Sequence, residues 1–141
     1  MTGEGKLFHE IEHTGDIGIE IEADSRPELF RRAAIAVAQL MVETTGVRPI
    51  ENRDLLIVGS DDEELMHDML SALLQLFLAD AFIWSEAAVE ERNEGLRVEV
   101  RGEPFDATRH EFRKELKAVT YHELSARKVG ARWHARVIFD V

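Results

Sequence analysis

RGEPFDATRHEFRKELKAVTYHEL, residues 101–124, sets how the chain is read, because a turn, a dense group of ionisable residues and a strand-like tail follow one another within it. Gly102, Pro104 and Asp106 are turn-forming, and Thr108 to Lys114 is too polar and irregular for a buried element. From Leu116 the pattern alternates. Leu116, Ala118, Thr120, His122 and Leu124 would share one face, and Lys117, Val119, Tyr121 and Glu123 the other, which predicts a half-buried strand. Function is expected to concentrate in this window.

Downstream, the chain turns at Val129-Gly130 and returns as Arg132 to Val141, where Trp133, Ala135, Val137 and Phe139 alternate with His134, Arg136, Ile138 and Asp140. That spacing predicts a hairpin. Upstream, Ala87–Arg92 and Leu96–Gly102 flank Asn93-Glu94-Gly95, a second hairpin pattern. At the start, Leu7–His13 and Ile17–Ala23 read as strands joined by a tight corner at His13-Thr14-Gly15-Asp16, where Gly15 supplies any positive φ and Asp16 projects near the hinge, with Ile17, Ile19 and Ile21 inward.

Two helices are expected between these hairpins. Ser25-Arg26-Pro27-Glu28 has the form of a capping box, and Leu29, Ala33, Val37, Leu40 and Met41 form the stripe of a core-facing helix ending before Gly46 and Pro49. Ser60-Asp61-Asp62-Glu63 opens a second helix running to about Asp80, its stripe made by Leu65, Met69, Leu73 and Phe77. The acidic residues at that start suit a helix N-terminus, so they are read as caps rather than as a metal site. Asp54–Val58 is expected to be a short buried strand. The order β-β-α-β-α-β-β-β-β, about seven strands and two helices, predicts an α+β fold with helices on mainly antiparallel sheet.

Composition narrows the function. The 141 residues include no cysteine, so disulfides, thiolate zinc sites and cysteine nucleophiles are excluded. Lys and Arg number 17 against 28 Asp and Glu, a formal net charge of −11, which disfavours direct binding to a phosphate backbone. MTGEGKLFHE lacks the basic and apolar regions of a signal peptide, and no apolar run is long enough to span a membrane. A cytoplasmic, single-domain protein is expected.

Few residues suggest chemistry. Asp140 stands on an otherwise apolar strand end beside the terminal carboxylate of Val141. Were the last strand to pair near the first hairpin, Asp16 and His13 would join Asp140 in an oxygen-rich cluster suited to a hard divalent cation. The plainer alternative leaves Asp16 as a turn residue and Asp140 as a solvated strand end. Lys117 needs either solvent or a carboxylate partner. His110 and His122 are isolated in sequence, and His67 sits mid-helix without a partner at ligand spacing. No nucleophile elbow, phosphate loop, dinucleotide fingerprint or HExxH helix is present. A stand-alone metal-dependent phosphohydrolase would lack a catalytic base.

HTGDIGI at 13–19, RGEPFDATRHE at 101–111, ELKAVTYHEL at 115–124 and the penultimate Asp140 resemble the archease family across essentially the whole chain, as one domain over residues 1–141. Gly15 stands where alanine is usual in that family, and Leu116 where valine is common; neither removes an ionisable group. The resemblance implies a cytosolic accessory protein, not an enzyme. In that family the partner is the RNA ligase that joins 2′,3′-cyclic phosphate or 3′-phosphate ends to 5′-hydroxyl ends in tRNA splicing and RNA repair. The accessory protein promotes guanylylation of the ligase and its multiple turnover. The resemblance also implies a divalent-metal site at Asp16 and Asp140, with Lys117 as a functional neighbour. His13 and Val141 are added as adjacent ligands. Calcium, magnesium, manganese and zinc all suit such donors. The alternative it implies is a chaperone or specificity modulator of a tRNA-modifying enzyme such as a tRNA methyltransferase.

Overall fold

The computed structural model describes residues 7–13 and 15–141, with Glu12 and His13 described by their backbone alone. Strand β1 (His9–His13) and strand β2 (Asp16–Ala23) form the first hairpin, with Gly15 at φ 73°, the left-handed region that glycine enters without strain. Helix α1 follows at Arg26–Met41. Ser25 caps it by accepting the Glu28 N–H at 3.3 Å, while the Glu28 carboxylate turns to Arg31 and Arg32 instead of closing the box.

Strand β3 (Glu51–Val58) leads to helix α2 (Asp62–Asp80). The cap there is Asp61, not Ser60: its carboxylate accepts the N–H groups of Glu63 and Glu64 at 2.8 and 3.2 Å. Strands β4 (Phe82–Arg92) and β5 (Gly95–Pro104) make the second hairpin, longer than the sequence pattern predicts because Phe82-Ile83-Trp84 is a buried, non-alternating start with an irregularity between Trp84 and Glu86. Gly102 lies under this irregularity. A Cβ there would come within 1.9 Å of the Ile83 carbonyl oxygen.

A two-residue strand β6 (Ala118–Val119), strand β7 (Ser125–Val129) and strand β8 (Arg132–Asp140) complete the chain. The pairings are all antiparallel. One sheet runs β1-β2-β8-β6 with β7 also on β8, and the other runs β3-β5-β4. The expected α+β architecture is present, with one strand more than about seven.

Three expectations are corrected. The half-buried strand over 116–124 shrinks to Ala118–Val119. Leu116 and Val119 are buried three residues apart rather than two, Thr120 places both its N–H and its hydroxyl on the Ile138 carbonyl at 3.0 Å, and Glu123 at φ 52° turns the chain away. The expected buried strand at Asp54–Val58 is the open edge of the three-stranded sheet: Leu55 and Ile57 face inward, while Leu56 and Val58 are 60% and 62% exposed. Within the polar stretch 108–114, His110 is buried.

The core lies where the helices meet the sheets. Phe30, Met66, Met69, Leu70, Trp84 and Phe139 are fully enclosed there. Trp84 satisfies its indole N–H on the Ala34 carbonyl at 2.9 Å, so the largest core side chain also joins β4 to α1.

Candidate functional site

The β2–β8 pairing sets Asp16 directly opposite Asp140. Asp16 also pairs with His13 on β1, and Asp140 with Ala118 on β6, so a single row crosses four strands as His13, Asp16, Asp140 and Ala118. Directly opposed residues project to the same face with Cβ atoms about 4.5–5.5 Å apart, and like charges so placed repel. Asp16 is half-buried and Asp140 exposed. Lys117 is tied in by its backbone, whose N–H donates to the Asp140 carbonyl at 2.8 Å. Its side chain is exposed.

Asp16 and Asp140, far apart in sequence, thus meet at one corner of one sheet, with Lys117 joined to it through its backbone. The neighbouring row explains why the corner keeps its spacing. Gly18 lies between Ile11 and Ile138, and a Cβ on it would approach their side chains within 2.7 Å. Only glycine lets the three strands pack there undistorted.

The chain reaches Lys117 through a loop fixed by a buried polar knot that the motifs alone did not single out. The Glu103 carboxylate accepts from Arg109 Nη2 at 2.6 Å, from the Arg48 N–H at 2.8 Å and from His110 Nε2 at 2.9 Å. His110 Nδ1 accepts the Asp106 N–H at 2.9 Å, which leaves the proton on Nε2 to be donated to Glu103. The Arg109 hydrogen bond, aided by Arg48 and His110 against the opposing effect of burial, holds the Glu103 pKa at about 2. Further along, the N–H groups of Arg113 and Lys114 bond to the Met41 carbonyl, and Glu43 N–H to Glu111. The loop is therefore pinned to the end of α1 before it delivers Lys117.

Of the expected site residues, Asp16, Asp140 and Lys117 come together. His13 joins them by strand register, and Val141 follows Asp140 with 42% of its surface exposed. His110 is a satisfied buried histidine. His122 lies in the exposed turn after β6, 3.5 Å from Glu123. The signal for Glu103 was slight: it falls out of phase with the alternating Leu96, Val98 and Val100, and only its nearness in sequence to Arg109 and His110 hints at a knot.

Among the described residues, no group of three or more histidine, aspartate or glutamate side chains stands close enough to hold a metal ion. The corner offers two opposed carboxylates. Such a set fits an ion that keeps water or takes further oxygens from another molecule better than one caged by roughly six to eight protein oxygens. No helix among the described residues is long and apolar enough to cross a membrane.

Fold and corner together define a small two-helix, two-sheet α+β protein with two aspartates opposed at the end of one sheet. Residues 8–141 match the Archease protein family (MTH1598/TM1083). A protein named archease from Methanopyrus kandleri is 36% identical over 138 residues, covering 95% of this chain and 99% of its own. One from Methanosarcina mazei is 33% identical over the full length of both. The solution structure of Methanobacterium thermoautotrophicum protein 1598 superposes with a TM-score of 0.78 at 30% identity, over 96% of this chain and 99% of that one. The crystal structure from Thermotoga maritima described as "an archease, possible chaperone" shares the fold, with a TM-score of 0.68 at 23% identity over 93% of this chain and 94% of its own. The chain belongs to the archease family.

Proposed function

We propose that this protein activates an RNA ligase that joins 3′-phosphate or 2′,3′-cyclic phosphate ends to 5′-hydroxyl ends in tRNA splicing and RNA repair, by promoting the ligase's GTP-dependent guanylylation. The observation that carries this reading is the row at the sheet corner: Asp16 and Asp140, far apart in sequence, oppose each other with Lys117 bonded alongside. Those are the residues to which resemblance to the family assigns a function.

In this reading the two carboxylates lower the local potential and offer oxygens to a divalent cation, with His13 and Val141 as further donors. When bound, such an ion supplies charge neutralisation for phosphate oxygens. The Lys117 ammonium is exposed and orients a phosphate approaching the corner. The chain's net charge of −11 favours encounter with a basic, RNA-binding partner and disfavours RNA itself.

The test is a ligation time course with limiting cognate ligase, excess RNA bearing a cyclic phosphate, GTP and manganese. Turnovers per ligase should rise from about one to many on addition of this protein, and the rise should vanish with Asp16→Ala or Asp140→Ala. Normal activation by both folded variants would remove the corner from the mechanism. A chaperone role is the second reading; the Thermotoga protein is called a possible chaperone. That reading predicts a stable complex with a tRNA-modifying enzyme and no effect on ligation.

A further inference from the structure

Tyr121 follows Lys117 by four residues, so the two Cα atoms are at most about 14 Å apart along an extended chain. Its side chain leaves the sheet and lies on α2, where the phenol ring stacks on His67 with centroids 3.9 Å apart and planes 11° from parallel. One face of the ring is thus occupied by imidazole. Yet Tyr121 remains 60% exposed, more than a tyrosine serving only to cover the core would be.

The surroundings of the ring are acidic. Glu64, His67 and Asp68 lie at i, i+3 and i+4 on α2, so the two carboxylates border the same helical face that carries the stacked histidine. Asp68 Oδ1 is 3.0 Å from His67 Nδ1. Desolvation, then Asp68 and Glu64, raise the Tyr121 pKa, which places both charges within electrostatic reach of the phenol. Glu64 makes no ion pair with any described residue, whereas the arginines along the other faces are mostly engaged: Arg26 with Asp62, Arg109 with Glu103, Arg136 with Glu20.

A half-open aromatic face rimmed by carboxylates suits one chemical group above others. A guanidinium can stack flat on the ring and donate in its plane to carboxylates, which a lysine ammonium does less well. The same carboxylates repel a phosphate backbone. We propose that Tyr121, with Glu64 and Asp68, is a docking point for an arginine side chain on the surface of the partner protein. This rests on the ligase reading and deepens it: the arginine seats the ligase so that the Asp16–Asp140 corner, to which Lys117 on the same segment as Tyr121 is bonded, faces the ligase's nucleotide. Docking and activation are then separable, Tyr121 governing how much protein is needed and the corner governing what the bound complex does.

The experiment is the same ligation assay run as a titration of this protein against fixed ligase, at low and at physiological salt. Tyr121→Ala should raise the half-saturating concentration about tenfold with the plateau turnover unchanged. Tyr121→Phe, which keeps the stacking face, should remain near wild type. The double variant Glu64→Gln/Asp68→Asn should bind more weakly at low salt and show a flatter salt dependence. That pair is on the surface of α2 and serves as the readout if Tyr121→Ala fails to fold. An unchanged half-saturation in folded Tyr121→Ala, or a lowered plateau instead of a shifted midpoint, overturns the docking role alone. Absence of activation by the wild-type protein overturns both it and the ligase reading.

Discussion

Replacing Glu103 with glutamine removes one negative charge from a site that is 4% exposed and surrounded by three donors. Arg109 Nη2, the Arg48 N–H and His110 Nε2 all point at the two carboxylate oxygens. A glutamine has one acceptor oxygen, and its NH2 group must then face at least one of those donors. A hydrogen bond to a charged group contributes about 1.5–3 kcal/mol, and a buried donor left without an acceptor costs about 1–3 kcal/mol. The expected loss is about 3–4 kcal/mol, in line with the cost of breaking a buried ion pair by removing one partner. For 141 residues the unfolding entropy is about 0.3 kcal/mol per degree, so the melting temperature should fall by about 10–13 °C at pH 7. The acid side carries a sign. With its pKa lowered to about 2 from 4.5, Glu103 contributes stability above pH 4.5 that is lost as the pH falls toward 2. The gap between wild type and Glu103→Gln should therefore close on acidification, read by thermal melts in circular dichroism from pH 7 to pH 2.5. A variant melting within 2 °C of wild type at pH 7, or a gap that does not depend on pH, would refute the account of the knot.

Other positions give sharper or simpler tests. Gly102→Ala should destabilise by about 3 kcal/mol or more, measured by urea denaturation, because the new Cβ meets backbone atoms of Ile83 and Trp84 that cannot rotate away. Trp84→Phe should cost about 1–3 kcal/mol through the lost indole hydrogen bond to the Ala34 carbonyl and the cavity left by the smaller ring, seen as a lower urea midpoint with an unchanged slope. Ser25→Ala should cost about 1 kcal/mol by removing the cap on α1, detected in the same titration. Leu56→Lys, at the open edge of the three-stranded sheet, should change stability by no more than about 0.5 kcal/mol.

The residues that were legible in sequence are those whose structure follows from local rules. Both helices were readable from their stripes and caps, with Asp61 replacing Ser60 by one position because its carboxylate reaches two N–H groups. The hairpins at Gly15, Gly95 and Gly130 were readable because tight connections favour glycine where φ is positive. Alternation misled where two periodicities coincide. Leu116 to Leu124 alternates on paper, but burial of Leu116 and Val119 follows a spacing of three, and the Ile138 carbonyl captures Thr120 before a strand can continue. No local pattern could assign Leu56 to the open face, since that depends on which side of the three-stranded sheet the rest of the chain covers.

The corner depends on a long-range pairing that spacing cannot specify. Asp16 could as well have been a turn residue, and only the register Ile17–Phe139, Ile19–Val137 and Ile21–Ala135, three core pairs on one face, forces Asp16 against Asp140 on the other. A shift of one residue would turn those apolar side chains to solvent, so the register is held by burial rather than by the carboxylates themselves. The repulsion between the opposed aspartates is thereby tolerated: hydrophobic pairing along the rest of β2 and β8 overcomes a local cost of less than about 1 kcal/mol. The sheet thus brings two like charges together at its end, at a position where neither supports the core. The Glu103 knot extends this arrangement to the third residue, since the loop it anchors runs to Lys117, whose N–H closes on the Asp140 carbonyl. Loss of the knot should therefore weaken activation as well as stability, by loosening Lys117 while leaving the Asp16–Asp140 pair in register.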